Sequence, residues 1–160
     1  MFTVDAINLA MAATDTIALA FKTPPEQEKT IHIYQNFIAL ASGHMDIVEG
    51  PTWTTNTGLL VPIFNRYREA TMDASIVLED KTATPNFTAT GNIILDPTAL
   101  TGGTILRTIY GFGKKDKAPS TRDEAHGWIL AADTTYAFLF TADDGSNKAQ
   151  LTLNWAETII

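Results

Sequence analysis

Apolar and polar residues alternate with a period of two along most of this chain, the spacing of strands that bury one face. In 16–22, Ile17, Leu19 and Phe21 alternate with Thr16, Ala18, Ala20 and Lys22, and Pro24-Pro25 ends the run. The run 29–41 alternates with apolar side chains on both faces. Ile31, Ile33, Phe37 and Ala39 share one face, and Tyr34, Ile38 and Leu40 share the other. A short strand over 45–49 leads into the turn Gly50-Pro51, and further strands fit 59–65, 74–79, 88–95, 104–112, 127–130, 135–141 and 149–155. Asp96-Pro97 and Gly102-Gly103 are turn signals, and Asp144-Gly145 predicts a hairpin joining the last two strands. Tyr136, Phe138 and Phe140 share a face of its first strand, and Leu151, Leu153 and Trp155 share a face of its second. About eight to ten short strands predict an all-β chain, an antiparallel jelly-roll β-sandwich. Trp128, Phe138 or Phe140, and Trp155 are expected to include deeply buried residues.

Residues 1–15 carry a different pattern. Ala6, Leu9, Ala10 and Ala13 lie at helical spacing beside the helix formers Met11 and Ala12, which predicts a short N-terminal arm or helix ahead of a sandwich domain at 16–160. Phe2, Val4, Ile7, Leu9 and Met11 would be exposed on a free arm, so they are expected to make a contact outside the sandwich core.

The chain has 160 residues, enough for one domain with a sizeable core, and 24 of them are threonine, which favours strands. Its net charge of -7 disfavours a phosphate backbone as partner, so no nucleic acid is expected. There are no cysteines, which excludes disulfides and thiolate chemistry. No apolar run is long enough to span a bilayer, and the N-terminus lacks the basic start of a cleaved signal. Neither a membrane nor a signal peptide is expected.

Little in the sequence points to catalysis. His32, His44 and His126 form no pair at metal-ligand spacing, and Asp143-Asp144-Gly145-Ser146-Asn147 lacks the alternating ligands of a calcium loop. None of the serines sits in a nucleophile elbow. Asp46, Glu49, Glu69, Asp73, Glu79 and Asp80 supply the acids from which a glycosidase pair would be drawn. Arg66 and Arg68 beside Phe64 and Tyr67 form a small basic cluster, readable as a carboxylate clamp or as ordinary surface pairs. Residues 113–126, with three of the seven lysines and Arg122, read as an exposed loop. The expectation is no enzyme, no metal and no cofactor.

Several segments together resemble a known family: Phe21–Pro24 (FKTP), Ile31–Phe37 (IHIYQNF), Glu49–Thr54 (EGPTWT), Pro62–Arg68 (PIFNRYR), Gly102–Thr104 (GGT) and the C-terminal run Trp128–Trp155. They are similar to small virion proteins of tailed bacteriophages that look like jelly-roll, tumour-necrosis-factor-like homotrimers decorating the head. The resemblance implies a structural protein on the capsid exterior, assembled in the host cytoplasm, whose partners are two further copies of itself and the major capsid protein. Tyr34, Ile38 and Leu40 then become candidates for the trimer interface, and Phe2, Val4, Ile7, Leu9 and Met11 for the capsid contact. The alternative is a receptor- or carbohydrate-binding jelly-roll module of a phage tail or fibre.

Overall fold

A computed structural model of the chain describes residues 1–25, 29–65, 92–111, 120–122 and 127–159. The strands are β1 (Phe2–Met11), β2 (Thr16–Lys22), β3 (Lys29–Ala39), β4 (Gly43–Glu49), β5 (Leu59–Pro62), β6 (Phe64–Asn65), β7 (Asn92–Leu95), β8 (Thr104–Gly111), β9 (Ser120–Arg122), β10 (Trp128–Ile129), β11 (Thr135–Ala142) and β12 (Asn147–Ile159). No helix occurs among the described residues. The first sheet runs β10-β3-β12-β1-β6, with β9 also on β3; the second runs β5-β7-β2-β11-β4-β8. Every named strand pair is antiparallel.

The pairing is nested. β1 pairs β12, β2 pairs β11, β3 pairs β9 and β10, and β4 pairs β8. An antiparallel ribbon wound in this order gives two facing sheets, the winding of a jelly roll. The inward faces are those that the alternation marks. Ile17, Leu19 and Phe21, then Ile31, Ile33, Phe37 and Ala39, then Phe138, Phe140, Leu151, Leu153 and Trp155 all belong to one buried cluster. Phe37 of the first sheet meets Phe140 of the second with ring centroids 5.2 Å apart. Gly43 and Gly111 pair beside this contact, and a Cβ on Gly111 would stand 2.7 Å from the Phe37 ring. A side chain at Gly111 would push that ring out of place.

Four expectations need correction. Residues 2–11 are neither arm nor helix but a strand between β12 and β6, registered from Phe2↔Trp155 to Met11↔Asn147. Phe2, Val4 and Ala6 alternate inward, and an irregularity between Asn8 and Met11 returns Met11 to the core. The helical spacing of the alanines was outweighed by an open sheet edge on β12 that only a strand can fill.

The turn at Asp144-Gly145 is not a hydrogen-bonded hairpin. β11 pairs β2 and β4, while β12 pairs β1 and β3, so the turn carries the chain from one sheet to the other. Asn147 anchors this corner. Its Oδ1 accepts from Ala41 N–H at 2.8 Å, and its Nδ2 donates to the carbonyls of Ala41 and Ser42 at 3.2 and 3.1 Å.

The run 59–65 divides at buried Ile63, giving β5 to the second sheet and β6 to the first. Within the expected loop 113–126, Ser120–Arg122 forms β9 on the edge of β3; 112–119 and 123–126 lie outside the described residues. Phe138, Phe140 and Trp155 are buried as expected, whereas Trp128 is half-buried against the core edge. The strand expected at 74–79 lies outside the described residues.

Candidate functional site

The residues with chemical potential do not converge. His32 is on the outer face of the first sheet, opposite Ile129, and His44 is on the outer face of the second. His44 Nδ1 lies 2.9 Å from Asp143 Oδ1, and its ring centroid is 5.7 Å from that of Tyr110. Asp46 and Glu49 fall on opposite faces of β4: Asp46 Oδ1 accepts from Thr108 Oγ1 at 2.5 Å, whereas Glu49 Oε2 accepts from Tyr136 OH at 2.8 Å. Glu69, Asp73, Glu79, Asp80, Arg66, Tyr67, Arg68 and His126 lie outside the described residues. Among the described residues no group of three or more His, Cys, Asp or Glu side chains is placed to hold a metal ion. Inside the sandwich, Gln35 is only 3% exposed and its amide has no hydrogen-bond partner.

What the fold does assemble is two outer faces. On the first sheet, the outward positions of β3 are Thr30, His32, Tyr34, Asn36 and Ile38, followed by Leu40 just beyond the strand. The register aligns Ile38 with Gln150 and Gln150 with Ile7, so one row crosses β3, β12 and β1. Two residues expected on a separate arm therefore return to the face that carries Tyr34, Ile38 and Leu40: Ile7 is 58% exposed within it, and Leu9, 68% exposed, lies at the β1 irregularity. Phe2, Val4 and Met11 are buried in the core and offer no surface. The exposed Ile129 and Phe64 lie towards the two edges of this sheet. Among the described residues its charged positions are Asp5, Lys148 and, by register on β9, Arg122. The Asp5 carboxylate lies along the sheet, accepting from Thr152 Oγ1 at 2.5 Å and Gln150 Nε2 at 3.3 Å.

The second sheet presents something the alternation pattern did not disclose. Leu60, Ile94, Ala20, Ala137, Val48 and Ile105 are successive register partners across all its strands. They form one apolar belt on the outer face. Its centre is covered by the chain's own loops, where Trp53 is buried on Ala20, Val48 and Ala137, with Leu100 beside it. The small side chains at Ala20 and Ala137 leave room for the indole. Two segments, 51–59 and 97–105, build this cap. Thr52 and Thr101 exchange backbone hydrogen bonds at 2.8 and 2.9 Å, and Thr54 N–H donates to Thr98 O at 2.9 Å. Thr98 N–H donates to Thr57 Oγ1 at 3.0 Å. Asp96 ties the base down: its Oδ1 accepts from Ala18 N–H at 2.7 Å, and its own N–H donates to Ala18 O at 2.9 Å. Partial burial raises the Asp96 carboxyl above the usual range, an effect opposed by the Ala18 N–H.

Tyr136 lies on the opposite, inner face of β11, its ring centroid 6.1 Å from that of Phe21. Its hydroxyl donates to Glu49 and accepts from Ala131 N–H at 2.9 Å. Burial pushes the phenol up to about 12; the Ala131 N–H opposes this, and Glu49 adds to it by hydrogen bond and by charge. A folded pKa above the unfolded value of about 10 means that this group's stabilisation is full below pH 10. It is lost as pH rises through 12. Tyr136→Phe is expected to cost about 1–2 kcal/mol at neutral pH. It is also expected to unfold less steeply with pH between 10 and 12 than the parent. Urea titrations at pH 8, 10 and 11 check this, and equal slopes for both proteins would refute it.

Comparison with protein-family models, with curated proteins and with solved structures finds no match for this chain.

Proposed function

We propose that this chain is a structural virion protein, a homotrimeric decoration protein on the outer surface of a tailed-phage capsid, working without catalysis or cofactor. The resemblance of its turn-and-strand segments supports this reading, and the nested sandwich suits it. The observation that carries it is the outer face of the first sheet. On a chain with net charge -7, this face joins Tyr34, Ile38, Leu40 and Ile7 with few charged positions among the described residues. Acidic copies repel one another except where they meet through a surface of low charge, and charge depletion marks the centre of protein interfaces. Cyclic symmetry places the same face of each copy around one axis.

Light scattering at micromolar concentration is expected to give three times the chain mass of 17.4 kDa. Ile7→Glu combined with Ile38→Glu is expected to give a monomer that keeps its β-sheet circular dichroism, because both side chains are exposed. A monomeric parent protein overturns the trimer. Labelled protein seen by electron microscopy on the head lattice supports the decoration role, whereas label at the tail tip favours the receptor- or carbohydrate-binding module.

A further inference from the structure

We infer that copies of this chain meet through unlike halves of the first sheet's outer face, the β1 half of one copy against the β3 half of the next, about an axis that runs along the strands. The inference rests on the trimer reading above and fixes how the copies are arranged.

β12 divides this face. On one side lie β3, β9 and β10, and on the other β1 and β6. Register rows cross from one half to the other, and each row carries matching chemistry in its two halves. In one row Tyr34 on β3 is aligned through Asn154 and Thr3 with Phe64 on β6, an aromatic on either side. The next runs from Arg122 through Asn36 and Thr152 to Asp5, from a cation to an anion. In the third, Ile38 is aligned through Gln150 with Ile7. The last is less regular: Leu40 N–H donates to Lys148 O, and Leu9 lies on the far side at the β1 irregularity. Phe64, Ile38, Leu40, Ile7 and Leu9 are all exposed.

Within one chain these partners cannot touch, because positions two strands apart are separated by about 10 Å. Rotation about an axis along the strands keeps every row at its own height and sets the β3 half of one copy against the β1 half of the next. Ile38 then meets Ile7, Tyr34 meets Phe64, and Asp5 comes to the level of Arg122. An axis across the strands sets each half against its own counterpart, and centred on the charged row it brings Asp5 against Asp5, a like-charge contact that interfaces avoid. A foreign partner has no need of two halves that complement each other, whereas a second copy does.

Asp5 is suited to this contact. It is exposed, and both bonds that it accepts from described residues go to Oδ1, which leaves Oδ2 to a cation of the next copy. β12 faces the axis in this arrangement. Its outward Asn154, Thr152 and Gln150 are neutral, and the exposed Lys148 stands near the start of the strand, where its charge reaches solvent at the end of the assembly.

The chain has no cysteine, so an introduced pair reports on the arrangement directly. Full-length protein carrying both Ile7→Cys and Ile38→Cys is expected to form covalent trimers on mild oxidation, whereas neither single variant is expected to form covalent dimers. A disulfide needs Cα atoms about 4.4–6.8 Å apart, closer than the two positions lie within a chain. Covalent dimers of either single variant at the yield of the double variant overturn the arrangement. So does a trimeric parent whose double variant stays unlinked, and both results leave the trimer reading standing. A monomeric parent overturns that reading, and this inference with it. As a second measurement, Asp5→Arg and Arg122→Asp are each expected to raise the concentration of half-dissociation roughly tenfold, and the two together to return it to within about threefold of the parent. Additive weakening in the combined variant would overturn the pairing of these two positions.

Discussion

Deleting residues 2–11 is expected to abolish cooperative folding. The segment is the strand between β12 and β6, and without it the β12 edge from Asn147 to Trp155 loses its hydrogen-bonding neighbour. Phe2, Val4 and Met11 leave the buried cluster at the same time. Burial of each is worth about 1.5–3 kcal/mol, so the apolar term alone is roughly 5–9 kcal/mol. A domain of this size has about 5–15 kcal/mol to lose. The newly open strand edge also invites pairing between chains, so the truncated protein is expected in the insoluble fraction. Thermal melts followed by circular dichroism check this. A truncated chain that melts cooperatively near the full-length temperature would restore the segment to the status of a dispensable arm.

Trp155→Ala is expected to cost about 3–5 kcal/mol, the range for deleting a large buried aromatic. The indole is fully enclosed and stacks on Phe2 with centroids 5.7 Å apart and planes at 24°. Its Nε1 also donates to Glu157 Oε1 at 3.0 Å, a bond that alanine cannot replace. Because Phe2 and Trp155 face each other across the β1–β12 register, the cavity loosens the first contact of the ladder that the deletion removes entirely. The two substitutions are therefore coupled: Phe2→Ala added to Trp155→Ala is expected to cost less than the sum of the single effects. Urea titration is expected to show a lower midpoint with an unchanged slope. A loss below about 1 kcal/mol would mean that the site collapses around the missing ring.

Face and sheet were not equally legible. The inward residues of β2, β3, β11 and β12 were readable because alternation is local: once one residue of a strand points inward, its second neighbours must too. The same alternation was present in Phe2, Val4 and Ala6, but Ala10, Met11, Ala12 and Ala13 gave the segment a competing helical signature. The aromatic positions of the last two strands were likewise clear. Whether those strands pair with each other or face each other across the core was not, since either arrangement turns Phe138 and Leu153 inward.

The candidate surfaces divide in the same way. Tyr34, Ile38 and Leu40 stood out as the second apolar face of one strand, a pattern contained within a single run of sequence. The addition of Ile7 to that face needed the pairing of β1 with β12. The belt from Leu60 to Ile105 had no local signal at all, because each strand contributes one residue to it and Ala20 and Ala137 are too small to stand out. Trp53 appeared in the sequence as an isolated aromatic in a threonine-rich turn. Sequence by itself determined the all-β class, most strand positions and which side of β2, β3, β11 and β12 is buried, since these follow from steric and solvation preferences acting over a few residues. Strand partners, the sheet-crossing corner and the capped belt were decided only in the tertiary structure, because they depend on closing contacts between residues far apart in the chain, and no short window of sequence records which distant edge will satisfy a strand's hydrogen bonds.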